Sequence, residues 1–275
     1  STMKQLSTTI LLAVLLAVFL VSTGLLLTQL RDNSGGSDSY ASALAIATSG
    51  GPKETAPPAE TEEAVEEIWV PEEITGDEHM EALREIDIAA LQAVNPDVIG
   101  WIRVPDSNID YPIVQGEDND FYLKHTWDKQ KNSVGSVFME NRNSPDFTDY
   151  NTILYAHNMN DGSMFANIRR YNTQWYWERH PYVYIATEDG VFRYEVFSSY
   201  ESSIEGPAYG LSFHQEKTKA NFLISALEKT VADLGIRPAM TDRILTLSTC
   251  SGLGGVLGTE NRFVVHAYLP MELTQ

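Results

Sequence analysis

Eight short apolar runs constrain the fold of this chain more than any other feature. Each run is rich in β-branched and aromatic residues, and polar turns such as 105–108 and 188–190 separate them. Many short strands with few helices between them are typical of an antiparallel barrel or a sandwich. We expect strands at residues 99–104, 109–114, 136–139, 152–156, 182–186, 192–198, 244–249 and 263–269.

Two stretches outside these runs have helical periodicity. In residues 77–91, apolar residues recur near helical spacing, acidic residues occupy the first turn, and Asn95-Pro96 ends the pattern. Apolar positions also recur at helical spacing in residues 217–232, between the sixth and seventh predicted strands. The sequence therefore predicts a mainly β (α+β) fold with one helix before the strands and another before the seventh strand.

Residues 10–27 form an apolar segment that is interrupted only by Ser22, Thr23 and Gly24. A run of about 18 residues is just long enough to span a bilayer. Lys4 precedes the segment with no acidic residue on that side, which predicts a cytoplasmic N-terminus and an external C-terminal domain. We therefore expect a membrane anchor at residues 1–31.

A cleaved signal peptide is the alternative interpretation of the same segment. Ala41-Ser42-Ala43 fits a small-residue cleavage site. That site lies more than a dozen residues beyond the apolar segment, which favours an uncleaved anchor. Both interpretations place the remainder of the chain outside the membrane.

Residues 32–76 have the composition of a flexible linker. Glycine and serine are frequent in residues 32–37, and prolines follow from Pro52 onward. Much of the formal net charge of −19 lies in residues 54–78, which contain no lysine or arginine. Charge repulsion predicts an extended, solvated spacer rather than a binding site for a basic partner. A folded domain is then expected at residues 77–275, and the acidic chain argues against nucleic-acid binding.

Cys250, the only cysteine, is the first candidate for chemistry. It follows the strand-like run 244–249, a glycine-rich turn comes next, and the last predicted strand is preceded by Arg262. A hairpin of this kind brings Cys250 and Arg262 to the same edge of the sheet. A nearby cation lowers the pKa of a thiol and favours the nucleophilic thiolate.

His157 is the best candidate for a proton-transfer group among the six histidines. It lies between the predicted strand 152–156 and a polar loop, where catalytic groups are often placed on a rigid scaffold. His266 lies inside the last predicted strand, where a structural role is expected. Cysteine, histidine and arginine at one edge form a nucleophilic site with its own electrostatic stabiliser.

Several stretches resemble the sortase family in the same order along the chain. Residues 246–250 (TLSTC) resemble the active-site motif TLxTC, 155–159 (YAHNM) the histidine motif, and 262–267 (RFVVHA) the arginine strand. Four further stretches resemble class B sortases in particular: residues 95–102 (NPDVIGWI), 111–116 (YPIVQG), 119–123 (NDFYL) and 135–139 (GSVFM). The resemblance covers about residues 78–270.

The resemblance implies a closed eight-stranded sortase-type β-barrel with an N-terminal helix and a helix before the cysteine strand. It implies a cysteine transpeptidase of the Gram-positive cell envelope, in which Cys250 forms a thioester, His157 transfers protons and Arg262 stabilises the oxyanion. The groove for a C-terminal sorting signal would include Asn119, Leu123, Ser248 and Thr249. No cofactor or metal is expected.

Three functions remain open at this point. The enzyme would join surface proteins to an amine of a peptidoglycan precursor, or it would polymerise pilins through a lysine amine. A non-catalytic anchored binding module is the third interpretation, and the presence of Cys250, His157 and Arg262 together argues against it.

Overall fold

The computed structural model describes residues 2–49, 76–250 and 261–271. Five α-helices are found there: α1 (Thr2–Thr48), α2 (Glu78–Arg84), α3 (Ile88–Gln92), α4 (Gln174–Arg179) and α5 (Glu216–Lys229). The strands are β1 (Val98–Arg103), β2 (Asp110–Val114), β3 (Val137–Met139), β4 (Asn151–Tyr155), β5 (Tyr182–Thr187), β6 (Gly190–Ser203), β7 (Arg243–Cys250) and β8 (Asn261–Leu269). Short 3₁₀ helices occur at Phe121–Leu123, Ala166–Asn172 and Pro207–Tyr209.

The eight strands close into a barrel in the order β1-β2-β3-β4-β7-β8-β6-β5. The eight predicted strands are confirmed, but the expectation of purely antiparallel pairing is wrong for two pairs. Strands β2 and β3 are parallel, and so are β4 and β7. Parallel neighbours require a long crossover. The β4–β7 crossover contains β5, β6 and α5, which sequence periodicity alone does not assign to positions around the barrel.

The barrel interior is a continuous apolar core to which every strand contributes. Its members include Ile102, Ile113, Val137, Leu154, Val183, Tyr194, Leu245 and Val265, all buried. A second cluster lies under α1, α2 and α3, around Trp101 and Trp127. A third lies under α5, where Phe222 and Ala226 pack against β6 and β8. The barrel is therefore covered by helices on two sides, and its strand ends carry the loops.

The predicted single helix at 77–91 is wrong in detail, because two short helices occupy this region. The Asp77 side chain accepts hydrogen bonds from the backbone N–H groups of His79 and Met80 and so caps α2. The Asp87 side chain accepts one from Ala90 N–H and caps α3. Aspartate is a favoured N-cap residue. The second cap begins a new helix where the apolar periodicity alone suggested continuity.

Helix α1 extends beyond the predicted anchor into the predicted linker. Its apolar residues from Val14 to Leu30 are exposed. By length and composition, α1 could cross a membrane. Its second half packs on the barrel, with Ala43 and Ala47 fully buried. The prediction of a flexible linker is therefore wrong for residues 32–48, and its remainder from residue 50 to 75 lies outside the described residues.

Close packing explains why a glycine- and serine-rich stretch is helical here. A Cβ added at Gly36 would lie 2.8 Å from Cγ1 of Val134, so only a glycine lets the helix approach the barrel this closely. The Trp127 indole N–H donates to the Ser39 carbonyl at 2.9 Å, and the Tyr40 hydroxyl donates to the Gly135 carbonyl. Tertiary contacts of this kind override a weak intrinsic helix propensity.

Candidate active site

The parallel register of β4 and β7 brings His157 to the level of Cys250. Asn151 pairs with Ile244 and Tyr155 with Ser248, in each case a partner 93 positions later. His157 and Cys250 are separated by the same 93 positions. The Thr249 hydroxyl donates to the Ala156 carbonyl at 2.8 Å and holds the two strand ends together. The spacing between the two residues is therefore the register offset of the strands that carry them.

The antiparallel register of β7 and β8 places Arg262 directly opposite Cys250. The Cys250 backbone ends β7, and its side chain lies outside the described atoms. His157, Cys250 and Arg262 thus meet at one edge of the barrel, which we call the catalytic edge. A thiol, an imidazole and a guanidinium placed together have the chemistry of a nucleophile, a proton-transfer group and an oxyanion stabiliser.

The His157 ring is fixed by a backbone carbonyl and by a glycine. Its Nε2 lies 2.7 Å from the Leu123 carbonyl oxygen, which can only accept, so Nε2 carries the proton of the neutral ring. Gly135 has φ +63°, and a Cβ there would lie 3.0 Å from Cδ2 of His157 and 2.8 Å from the Tyr122 carbonyl. The loop from Tyr122 to Gly135 therefore forms a close-fitting support for the histidine.

A cavity of about 500 Å³ opens beside the catalytic edge. His157 and Arg262 line it, and so do the four residues expected for the substrate groove: Asn119, Leu123, Ser248 and Thr249. Ser248 and Thr249 are almost fully buried. The Ser248 and Tyr209 hydroxyl groups are hydrogen-bonded to each other at 2.8 Å, so they form a continuous polar part of the cavity lining.

Sequence reasoning missed Glu140, Arg142 and Tyr155, which lie in or next to the same cavity. Tyr155 and Arg142 line it, and both contact Glu140, a residue next to β3 whose side chain is only 2% exposed. Glu140 accepts hydrogen bonds from Arg142 Nε at 2.6 Å, Asn119 Nδ2 at 2.9 Å and the Tyr155 hydroxyl at 3.0 Å. We call Asn119, Glu140, Arg142 and Tyr155 the groove wall.

The electrostatics of the groove wall depend on the Glu140 carboxylate. Burial alone would raise its pKa, but hydrogen bonds from Arg142, Tyr155 and Asn119, together with the Arg142 charge, hold the pKa below its usual value. Burial and the neighbouring carboxylate raise the pKa of Tyr155. Tyr155 therefore stays a neutral donor to an ionised Glu140. The Asn119 Oδ1 accepts from Asn141 N–H at 2.9 Å, so both ends of this amide are held.

The other candidate groups have structural roles. His266 is fully buried, and burial lowers its pKa to about 3. Its ring is within hydrogen-bond distance of the Thr246 hydroxyl at 2.9 Å and the Tyr200 hydroxyl at 3.0 Å, as the expected structural role requires. Within the described residues, no three His, Cys, Asp or Glu side chains are grouped as metal ligands.

Comparison with known proteins agrees with this geometry. The Sortase domain family matches residues 102–270. Sortase B of Listeria monocytogenes is 38% identical over 166 residues, which is 60% of this chain and 67% of that protein. The chain belongs to the class B sortases.

Solved sortase B structures share the fold of this sortase. The Bacillus anthracis enzyme in complex with AAEK1 is 29% identical with a TM-score of 0.67, covering 87% of this chain and 98% of that one. The Staphylococcus aureus sortase B–substrate complex is 30% identical with a TM-score of 0.63, covering 66% and 84%. A sortase B complexed with triglycine is 30% identical with a TM-score of 0.62, also covering 66% and 84%. The predicted family, barrel and cysteine transpeptidase class are confirmed.

Proposed function

We propose that this sortase is a membrane-anchored transpeptidase that cleaves C-terminal sorting signals of secreted proteins and transfers them to an amine of the cell-wall precursor. Convergence of His157, Cys250 and Arg262 beside one cavity carries the proposal. The related complexes with a substrate and with triglycine support a peptide donor and an amine acceptor.

In the first step, the Cys250 thiolate attacks the carbonyl carbon of the scissile peptide bond. A carbon–sulfur bond forms, and the carbonyl electron pair moves to the oxygen, where the Arg262 guanidinium stabilises the negative charge. The planar fork of a guanidinium can donate two hydrogen bonds. The carbon–nitrogen bond then breaks, and the leaving amine takes a proton from the His157 imidazolium, which leaves a thioester.

In the second step, the acceptor amine attacks the thioester and gives a proton to neutral His157. The carbon–sulfur bond breaks and regenerates the Cys250 thiolate. Because Nε2–H is already donated to the Leu123 carbonyl, we assign the moving proton to Nδ1 in both steps. The loop that carries Leu123 therefore fixes the tautomer of the catalytic histidine.

The groove residues have separate roles in this proposal. Asn119 would bind the sorting signal through the Nδ2 hydrogen that Glu140 does not use. Leu123 would provide an apolar contact, and Ser248 and Thr249 would border the peptide next to Cys250. The anchor is the apolar part of α1, with the N-terminus in the cytoplasm and the domain at residues 77–275 outside.

Intact-protein mass spectrometry tests the proposal. The full chain in detergent is mixed with a panel of sorting-signal peptides, first without an amine and then with triglycine or a lysine-bearing peptide. We expect a thioester adduct on Cys250 that triglycine converts to an amide product. Conversion by the lysine peptide alone would instead establish pilin polymerisation. No adduct with any peptide, while a small thiol reagent still labels Cys250, would contradict catalysis and favour a binding module.

A further inference from the structure

The loop at residues 124–133 lies beside α1 at the point where its apolar surface ends. The last exposed large apolar residue of the span is Leu30. Two positions later, the Asp32 carbonyl accepts a hydrogen bond from Asn132 Nδ2 at 2.8 Å, and the Asp32 carboxylate accepts one from the Ser133 hydroxyl at 3.1 Å. At 1.5 Å per residue, Asp32 lies about 3 Å along the helix from Leu30.

This distance places the loop in the headgroup layer if the apolar part of α1 spans the bilayer. Each headgroup region is about 5–7 Å thick outside the hydrocarbon core. Asp32 lies about 7.5 Å along the helix from Leu27, where the uninterrupted apolar segment ends. With either residue as the boundary, the Asp32 contacts to the loop fall within or at the edge of the headgroup layer.

Further hydrogen bonds attach the loop to the next two turns of the helix, beyond Asp32. The Ser39 hydroxyl donates to the Asp128 carboxylate at 3.0 Å, and the Ser39 carbonyl accepts from the Trp127 indole N–H at 2.9 Å. Together with the Asp32 contacts, these hydrogen bonds span about two helical turns. The loop therefore cannot move away from the membrane surface without breaking the docking of α1.

The charge of the loop is opposite to that of the chain as a whole. The loop contains three lysines, Lys124, Lys129 and Lys131, and one acidic residue, Asp128. The protein as a whole has a formal net charge of −19. Lys129 is within 2.9 Å of the Asp97 carboxylate and is neutralised locally. Lys124 and Lys131 are exposed, and both adjoin Asn132: the Asn132 N–H donates to the Lys124 carbonyl at 2.9 Å.

We propose that the loop at residues 124–133 is a membrane-contacting surface in which Lys124 and Lys131 bind the phosphate groups of anionic lipid headgroups. Lysine is a compact point charge suited to phosphate, and each lysine near an anionic surface shifts the contact equilibrium about five-fold. The proposal rests on the membrane-anchoring part of the proposed function. It also places the catalytic site at the membrane surface, because Leu123, the residue before Lys124, supplies the carbonyl that holds His157.

Depth-dependent fluorescence quenching in the full chain tests this surface. In a Cys250→Ala background, a fluorophore is attached at Gln130→Cys in the loop, at Glu228→Cys on α5, or at Leu20→Cys in the apolar part of α1. The vesicles contain equal parts of phosphatidylcholine and phosphatidylglycerol, with nitroxides on either headgroups or acyl chains. Helix α5 packs on β6, away from the cluster under α1, so its label is the matched control.

We expect headgroup nitroxides to quench the loop label several-fold more than the α5 label, and acyl-chain nitroxides to quench the Leu20 label. Quenching at Leu20 with equal quenching of the loop and α5 labels would overturn the membrane-contacting surface while leaving the anchor intact. Absence of quenching at Leu20 would overturn the anchor and the surface together.

The lysines are tested in the same vesicles. Lys124→Gln combined with Lys131→Gln should reduce quenching of the loop label to the level seen in pure phosphatidylcholine, and high salt should do the same in the unsubstituted loop. Lys217→Gln removes an exposed charge on α5 and should leave the quenching of the loop label unaltered. Unchanged quenching in the double variant would overturn the role of the lysines in lipid binding.

Discussion

The catalytic edge and the groove wall both contribute residues to the lining of one cavity, but different interactions hold them in place. His157, Cys250 and Arg262 are aligned by the backbone registers of three neighbouring strands, β4, β7 and β8. In the groove wall, one side-chain carboxylate, Glu140, holds three neighbours. The edge is therefore part of the barrel itself, whereas the wall depends on a single ionised group.

This difference determines what a substitution does in each region. A change at the catalytic edge leaves the strand registers intact, so it should remove chemistry and preserve the fold. A change at Glu140 releases Asn119, Arg142 and Tyr155 together, so it should weaken substrate binding and also affect stability. The following predictions test this distinction.

Replacing Cys250 by alanine should have the largest effect. Removing a nucleophile typically lowers kcat by several orders of magnitude, so we expect no detectable thioester and a loss of at least about 10⁴-fold in turnover. The melting temperature should stay near that of the wild type, because β7 is held by its neighbours through the backbone. Turnover is followed by mass spectrometry and the fold by circular dichroism. Near-normal turnover in Cys250→Ala would rule out the proposed mechanism.

Arg262→Lys should have the second largest effect although it keeps the charge. The ammonium group lacks the planar fork, so stabilisation of the oxyanion should weaken, and loss of one such donor costs about 10²–10³ in kcat. The assay is the rate of thioester formation at saturating peptide, with thiol labelling of Cys250 as a control for the nucleophile. A rate within a few-fold of the wild type would show that the charge alone is sufficient.

Sequence patterns predicted the placement of Cys250 opposite Arg262 because its determinants are local: the two strands that carry these residues are close together in the sequence. Apolar residues alternate or cluster in the runs that form β4, β7 and β8, and the three proposed catalytic residues lie at the ends of these strands. The parallel pairing of β4 with β7 was not predicted, since it depends on which strands meet when the barrel closes.

The groove wall was only partly predicted for the same reason. Asn119 came from the family resemblance, but Glu140 follows an apolar run and reads as an ordinary charged turn residue. Only the pairing of β3 with β4, with Phe138 opposite Tyr155, brings Glu140 next to the Tyr155 hydroxyl. Similarly, residues 32–48 have a linker composition, and their helical structure depends on packing against the distant Val134.

Glu140→Gln should have an intermediate effect that acts mainly on substrate binding. The amide keeps the shape but loses the charge that holds Arg142, and hydrogen bonds to a charged group contribute about 1.5–3 kcal/mol each. We expect kcat/KM for a sorting-signal peptide to fall about 10-fold or more, chiefly through KM. Thiol labelling of Cys250 should be unchanged, because the catalytic edge does not depend on Glu140. A fall in kcat with KM unaltered would contradict the separation of the two regions.

Low pH should remove the stabilisation that the Glu140 carboxylate gives to the fold, and comparison with Glu140→Gln should show this. The folded-state pKa of Glu140 is lowered, so its stabilisation is present above the pKa of the unfolded carboxyl and is lost as the pH falls through the folded value. The free energy of unfolding of the wild type should therefore approach that of Glu140→Gln as the pH falls through this range. Urea titrations at a series of pH values measure both. A stability difference that is independent of pH would show that the charge of Glu140 does not stabilise the fold.

The smallest effect is expected at an ion pair whose carboxylate is exposed, unlike the buried carboxylate of Glu140. Asp233 and Arg237 form two hydrogen bonds, at 2.7 and 2.8 Å, and the Arg237 contact lowers the pKa of Asp233 to about 2. Both side chains are more than half exposed, so water and salt screen the attraction. Asp233→Asn should therefore leave the melting temperature in physiological salt unchanged within error. If Asp233→Asn destabilised the protein as much as Glu140→Gln, burial of the Glu140 carboxylate would not be what makes the groove wall important.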